Sequence, residues 1–130
     1  MNIKKVLKKL CVTGLACCML LSGVQVSAKS LKDSFSGGST YACTSYNAIF
    51  KMYTYQKTTY AQTEGYNGKH YVRAYMGGSS SSPSGAVVDS GRKWSEGNVR
   101  AAVSRTASIA ESDIVFLQLY FPTGYAKYGK

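Results

Sequence analysis

His70-Tyr71-Val72-Arg73-Ala74-Tyr75-Met76 decides the fold, because its side chains alternate without a break. Successive residues of an extended strand point to opposite faces. Val72, Ala74 and Met76 therefore share a core face, while Tyr71, Arg73 and Tyr75 form an outward ridge of two phenols flanking a guanidinium. Upstream, Asn67-Gly68 is a strong turn dipeptide inside Glu64–Lys69, and Thr58–Thr63 reads as a further strand. From Tyr41 onward the chain is rich in Tyr, Thr, Val and Ala, which suit a pleated, half-buried surface.

Downstream, Gly77–Gly85 is a Gly/Ser-rich loop, Ala86-Val87-Val88 resumes extended structure, and Asp89-Ser90-Gly91 turns it. Trp94 follows and is expected in the core, before a second turn at Glu96-Gly97. Asn98–Ser104 alternates again, with Val99, Ala101 and Val103 inward and Arg100 outward. Thr106–Asp113 has the composition of a helical turn or of nothing in particular. Ile114–Phe121 is apolar on both faces, which predicts a central or loop-covered strand. Short strands with turns about every 8 to 12 residues suggest an antiparallel sandwich or small barrel. The expected class is all-β, a small antiparallel β-sandwich of about six or seven short strands.

The first 28 residues carry an export signal. Lys4, Lys5, Lys8 and Lys9 form a basic start, Leu10–Leu21 a short apolar stretch, and Val26-Ser27-Ala28 a small-residue cleavage site. A spanning anchor needs about 20 mostly apolar residues, whereas Gly23, Gln25 and Ser27 interrupt this run. A lipid-modified Cys17 is disfavoured because Gly14 stands where such a motif usually has Leu. Cleavage after Ala28 predicts a secreted, extracellular protein with no transmembrane segment left. Lys29–Thr40, polar and rich in Gly and Ser, reads as a flexible leader, and residues 41–130 as one domain.

That cut removes Cys11, Cys17 and Cys18 and leaves Cys43 alone, so no disulfide framework is available. It also leaves 12 basic residues against 6 acidic ones, a charge of +6, with all 16 aromatics retained.

Sites for chemistry are few. His70 is the only His, so any His-based metal site or catalytic triad depends on it, and a polar residue at a strand edge or turn is the simpler reading. A Cys43–His70 thiol dyad has no Gly-rich turn or helix start around the thiol to activate it. The acids fall mostly at turns, and an Asp89–Glu96 glycosidase pair rests on spacing alone. Ser79–Ser82 lacks a nucleophile elbow. Zinc and nucleotide signatures are absent, and no enzyme activity, cofactor or metal is expected. A basic, Tyr-rich surface instead suits recognition of anionic groups. The residues chosen for binding are Tyr71, Arg73, Tyr75, Arg92 and Lys93, where planar donors and cations lie beside aromatic rings. Such a surface can also stack bases, although nucleic acid is not the expected partner.

The order Gly68-Lys69-His70-Tyr71-Val72-Arg73-Ala74, Ser90-Gly91-Arg92-Lys93-Trp94, Val99-Arg100-Ala101-Ala102 and the closing run Ile114–Phe121 resembles the lactococcin 972 type of bacteriocin. The resemblance spans roughly Thr58 to Phe121. This chain departs from the pattern in lacking a Trp- and His-rich mature N-terminus, in carrying Cys43, and in running past Phe121. The resemblance implies a small exported polypeptide with a disulfide-free β-sandwich fold and Tyr/Trp-rich strands. It also implies non-enzymatic antimicrobial action at the bacterial cell envelope, by interference with wall synthesis. The expected partner is then a cell-wall precursor or anionic surface. A non-toxic secreted adhesion or cell-wall-binding module is the alternative.

Overall fold

The structure, a computed structural model, describes residues 29–130; the expected signal peptide, 1–28, lies outside them. The described chain is all-β, with two antiparallel sheets and little helix. Its elements are α1 (Leu31–Ser34), β1 (Phe35–Asn47), β2 (Met52–Thr63), β3 (His70–Gly77), β4 (Ala86–Asp89), β5 (Lys93–Ser95), β6 (Val99–Ala110), a 3₁₀ segment (Glu111–Tyr120) and β7 (Gly124–Gly129). Sheet A has the order β1-β2-β6. In sheet B, β3 is central: β7 pairs along one side of it, while β4 and β5 pair in succession along the other.

The sheets meet through small side chains. Ala61, Val72, Ala74 and Ala101 form a buried cluster, against which Phe35, Val99, Val103 and Ala126 pack. Val72, Ala74 and Met76 are fully buried as the alternation requires, whereas Val99 and Val103 are only partly covered. A Cβ on Gly37 would collide with that of Ala126, so the glycine lets β1 and β7 approach. Polar groups inside are satisfied: Ser39 and Thr59 hydroxyls meet at 2.8 Å, and Lys57 Nζ donates to the Pro122 carbonyl at 2.7 Å.

Several expectations change. Lys29–Thr40 is not a flexible leader but contains α1 and the first half of β1. Ser30 Oγ caps the Asp33 N–H at 3.1 Å, and Leu31 and Ser34 are buried. Phe35 to Thr40 pair with Thr63 to Thr58, so tertiary pairing overrides weak strand propensity. Asn67-Gly68 does not close a hairpin; the Glu64–Lys69 connection carries the chain from sheet A to sheet B. Thr106 to Ala110 continue β6 instead of forming a helical turn.

The run Ile114–Phe121 is not a strand. Ala110, the last residue of β6, pairs with Met52, the first of β2, so beyond that point β6 has no partner on that side. The chain turns, Glu111 N–H donates to Lys51 O at 2.9 Å, and a 3₁₀ path follows with a kink at Phe116 and no buried residue. Without a neighbouring strand the alternating pattern has no ladder to join.

Candidate anion-binding site

β3 presents Tyr71, Arg73 and Tyr75 on the outer face of sheet B, opposite the buried Val72 and Ala74. Three local circumstances then give these side chains different fates.

Arg73 is engaged. Its guanidinium forks onto Asp89, with Nε 2.8 Å from Oδ1 and Nη2 bonded to Oδ2. This is the only ion pair among the described residues. The Arg73 hydrogen bond holds the Asp89 carboxyl below its ordinary range, helped by the Gly91 N–H at 2.9 Å, and raises the guanidinium's own value. The pair thus fastens the Asp89-Ser90-Gly91 turn to β3, and the Ser90 backbone N–H donates to Ala74 O at 2.9 Å.

Tyr75 is covered. Its hydroxyl donates to Ser79 O at 2.6 Å, so the Gly/Ser loop lies over the ring, and Tyr125 packs 5.3 Å away. Although it points outward from the sheet, Tyr75 is fully buried and cannot meet a ligand.

Tyr71 remains available. Trp94 stands opposite it on β5, with ring centroids 5.0 Å apart. The Arg92 guanidinium lies 4.8 Å from the Tyr71 ring centre, and Lys69 Nζ 5.6 Å from that of Trp94. The result is a tilted stack of four groups, Lys69–Trp94–Tyr71–Arg92, with the two rings inclined at 58° and a cation at each end. Gly129 pairs with Tyr71, and a Cβ there would sit 2.6 Å from the ring, so the tyrosine lies flat across bare backbone. Trp94 is 47% exposed, not in the core as its sequence context suggested. Trp94 pairs at the end of β3 away from the Gly/Ser loop that covers Tyr75.

Of the five predicted binding residues, the fold therefore unites Tyr71 and Arg92. Lys93 is exposed but pairs with Val72 and points to the other side of the sheet from Trp94. Lys69 and Trp94 were missed as contacts, Lys69 because it sits in a turn and Trp94 because it was assigned to the core. Chemically the stack offers two cations with no carboxylate partner among the described residues, separated by apolar ring area. Arginine beside an aromatic face is a recurrent means of holding phosphate while covering the apolar part of a ligand.

The catalytic pairs weighed from the sequence do not assemble. His70 is fully buried: Gly68 O can only accept, so Nδ1 donates to it at 2.6 Å, and Nε2 meets the Thr63 hydroxyl at 2.7 Å. Thr63 pairs with Phe35, and Cys43 lies eight residues further along β1, roughly 26 Å away at strand spacing. No Cys43–His70 dyad forms. Asp89 pairs with Tyr75 and Ser95, next to Glu96, with His70, so these acids flank opposite ends of β3, about 17 Å apart. A glycosidase pair needs less than about 10 Å. Among the described residues, no three His, Cys, Asp or Glu side chains gather to hold a metal, and no helix is long and apolar enough to cross a membrane. No protein-family model, curated protein or solved structure matches this chain.

Proposed function

We propose that this chain is a secreted, bacteriocin-like antimicrobial polypeptide of lactococcin 972 type, which binds a phosphate-bearing cell-wall precursor or anionic surface without catalysing a reaction. The observation that carries the reading is the exposed Lys69–Trp94–Tyr71–Arg92 stack, whose cations face no acid. An anionic headgroup placed against Arg92 gains a planar, forked donor, while the two rings cover neighbouring apolar atoms. The disulfide-free sandwich is the architecture that the family resemblance implies.

The test is growth inhibition of related Gram-positive strains by the exported protein, run beside its binding to isolated undecaprenyl-pyrophosphate precursors. Arg92→Ala and Trp94→Ala should each lower binding and killing together, the Arg92→Ala loss being larger at low salt than at high. Arg100→Ala, which removes one charge from the outer face of sheet A on the far side of the sandwich, is the control. Equal losses from Arg100→Ala and Arg92→Ala would leave only general charge attraction. Precursor binding without killing would favour the adhesion module.

A further inference from the structure

Sheet A is longer than sheet B. The inner sheet contact ends near Gly124, which lies against Ser39 and Thr59. Beyond it β1, β2 and β6 continue to Asn47, Met52 and Ala110, with Phe121 packed edge-on to Tyr41 at 5.6 Å. The 3₁₀ segment connects Ala110 to Phe121 across this projecting half.

The projection carries most of the uncovered aliphatic and Phe surface. Ile49 is 87% exposed and Phe50 72%, both in the β1–β2 turn; Val115 (78%), Phe116 (56%) and Leu119 (81%) lie on the 3₁₀ segment. In the sandwich half only Val87 is comparably bare. The turn is firmly built: Asn47 Oδ1 accepts from the Ile49 and Phe50 N–H groups at 3.0 and 3.2 Å. The bond from Glu111 N–H to Lys51 O ties the start of the 3₁₀ segment to the same turn. Local hydrogen bonding thus holds the apolar side chains outward.

The polar groups behind them suit an amphipathic partner, and the net charge of +6 over residues 29–130 suits an anionic one. Tyr46 donates to Glu111 at 3.2 Å, and Tyr120 to Asp113 at 2.9 Å, so both carboxylates of this end, which keep their charge, are held by phenols. Desolvation and then the Glu111 carboxylate push the Tyr46 phenol above its ordinary value; for Tyr120 the Asp113 hydrogen bond is the main cause. Both phenols therefore stay neutral donors. Lys51 and Arg105 are exposed with no carboxylate partner among the described residues. An apolar tip backed by phenols and cations is the arrangement that proteins place at a lipid–water interface.

We infer that the projecting end of sheet A inserts into the surface of an anionic lipid bilayer, with Ile49, Phe50 and Leu119 in the upper acyl region and Lys51 and Arg105 at the headgroups. This goes beyond the anion-binding stack and uses none of its residues. Phe35, at the stack's end of β1, is twelve residues from Asn47, about 40 Å at strand spacing.

Vesicles of equal parts phosphatidylglycerol and phosphatidylcholine test the inference by cosedimentation with the exported protein, alongside penetration of a phosphatidylglycerol monolayer. Ile49→Ser/Phe50→Ser should keep the wild-type melting temperature and lose partitioning by about tenfold or more. The loss should persist in high salt, where charge attraction is screened. Leu119→Ser gives the same result to a smaller degree. Lys69→Ala/Arg92→Ala should leave monolayer penetration intact, which separates this surface from the stack. Three results overturn the inference: no vesicle binding by the wild type, unchanged partitioning of both tip variants, or a wild-type dimer that becomes monomeric in the tip variant while vesicle binding stays the same. The last would assign the tip to a second copy of the chain.

Discussion

The sandwich half and the projecting half of sheet A are built from the same three strands, yet the apolar side chains around them differ. The projection encloses Ile109 of β6 but leaves those of its turn and 3₁₀ segment bare. Met76 and Val72, beneath the inner face of sheet A, are fully buried, whereas Ile49, Phe50 and Leu119 stand in solvent. The difference lies in the length of the opposing sheet, since β3 and β7 run out before β1, β2 and β6 do. Burial here is a property of what faces a strand, and only secondarily of the strand's own sequence.

The sharpest way to break that comparison is to remove similar volumes from the two halves. Met76→Ala should cost about 2–5 kcal/mol in urea unfolding, because it empties a closed site. Leu119→Ala should change stability by no more than about 0.5 kcal/mol. Equal costs would mean that the projection is covered by something in solution.

A smaller loss is expected at the sandwich's own end. His70→Phe keeps an aromatic ring but leaves the Thr63 hydroxyl and the Gly68 carbonyl without their partner, at about 1–3 kcal/mol. Thermal melts of His70→Phe and of the double variant His70→Phe/Thr63→Val measure it, and the double variant should recover part of the loss.

Trp94→Ala comes next. With nearly half its surface in water, the indole should contribute only about 1 kcal/mol to stability, well below the cost for a buried tryptophan. Intrinsic fluorescence checks the environment directly: emission should be red-shifted and readily quenched by iodide in the native state.

The smallest effect concerns Arg73 and Asp89. A folded carboxyl held below its unfolded value stabilises the native state above the unfolded range, near pH ~4, and that contribution disappears as pH falls through the folded value. At a partly exposed pair it amounts to about 1 kcal/mol or less. Asp89→Asn should therefore lower stability slightly at neutral pH and flatten the acid side of the stability profile. An unchanged profile would mean that the turn is held by Ser90 alone.

Much of sheet B was legible beforehand. The Val72/Ala74/Met76 alternation marked the core face of β3, and Gly91 and Gly97 marked the turns around β5. Half of the site was legible for the same reason, since Tyr71 had to face away from Val72. What alternation cannot report is who lies opposite. Tyr75 shares the periodicity of Tyr71 but disappears under a loop whose Ser79 carbonyl accepts its hydroxyl proton. Arg73 looked like a free fork until Asp89, sixteen residues on, arrived beside it.

The sequence by itself therefore determined the class of the domain and the inward set of β3 and β6, because both follow from side-chain type and local period. Only the tertiary structure decided three other matters. It made Ser36-Gly37-Gly38-Ser39 a strand, since β2 needed a partner and β7 needed a residue without a Cβ beneath it. It kept Ile114–Phe121 out of a sheet, since the partner strand β2 ends at Met52. It also left Trp94 uncovered beside Tyr71, since the Gly/Ser loop that buries Tyr75 lies over the other end of β3. Strand pairing and layer length are long-range facts, and no local pattern of residues encodes the distance at which a partner stops.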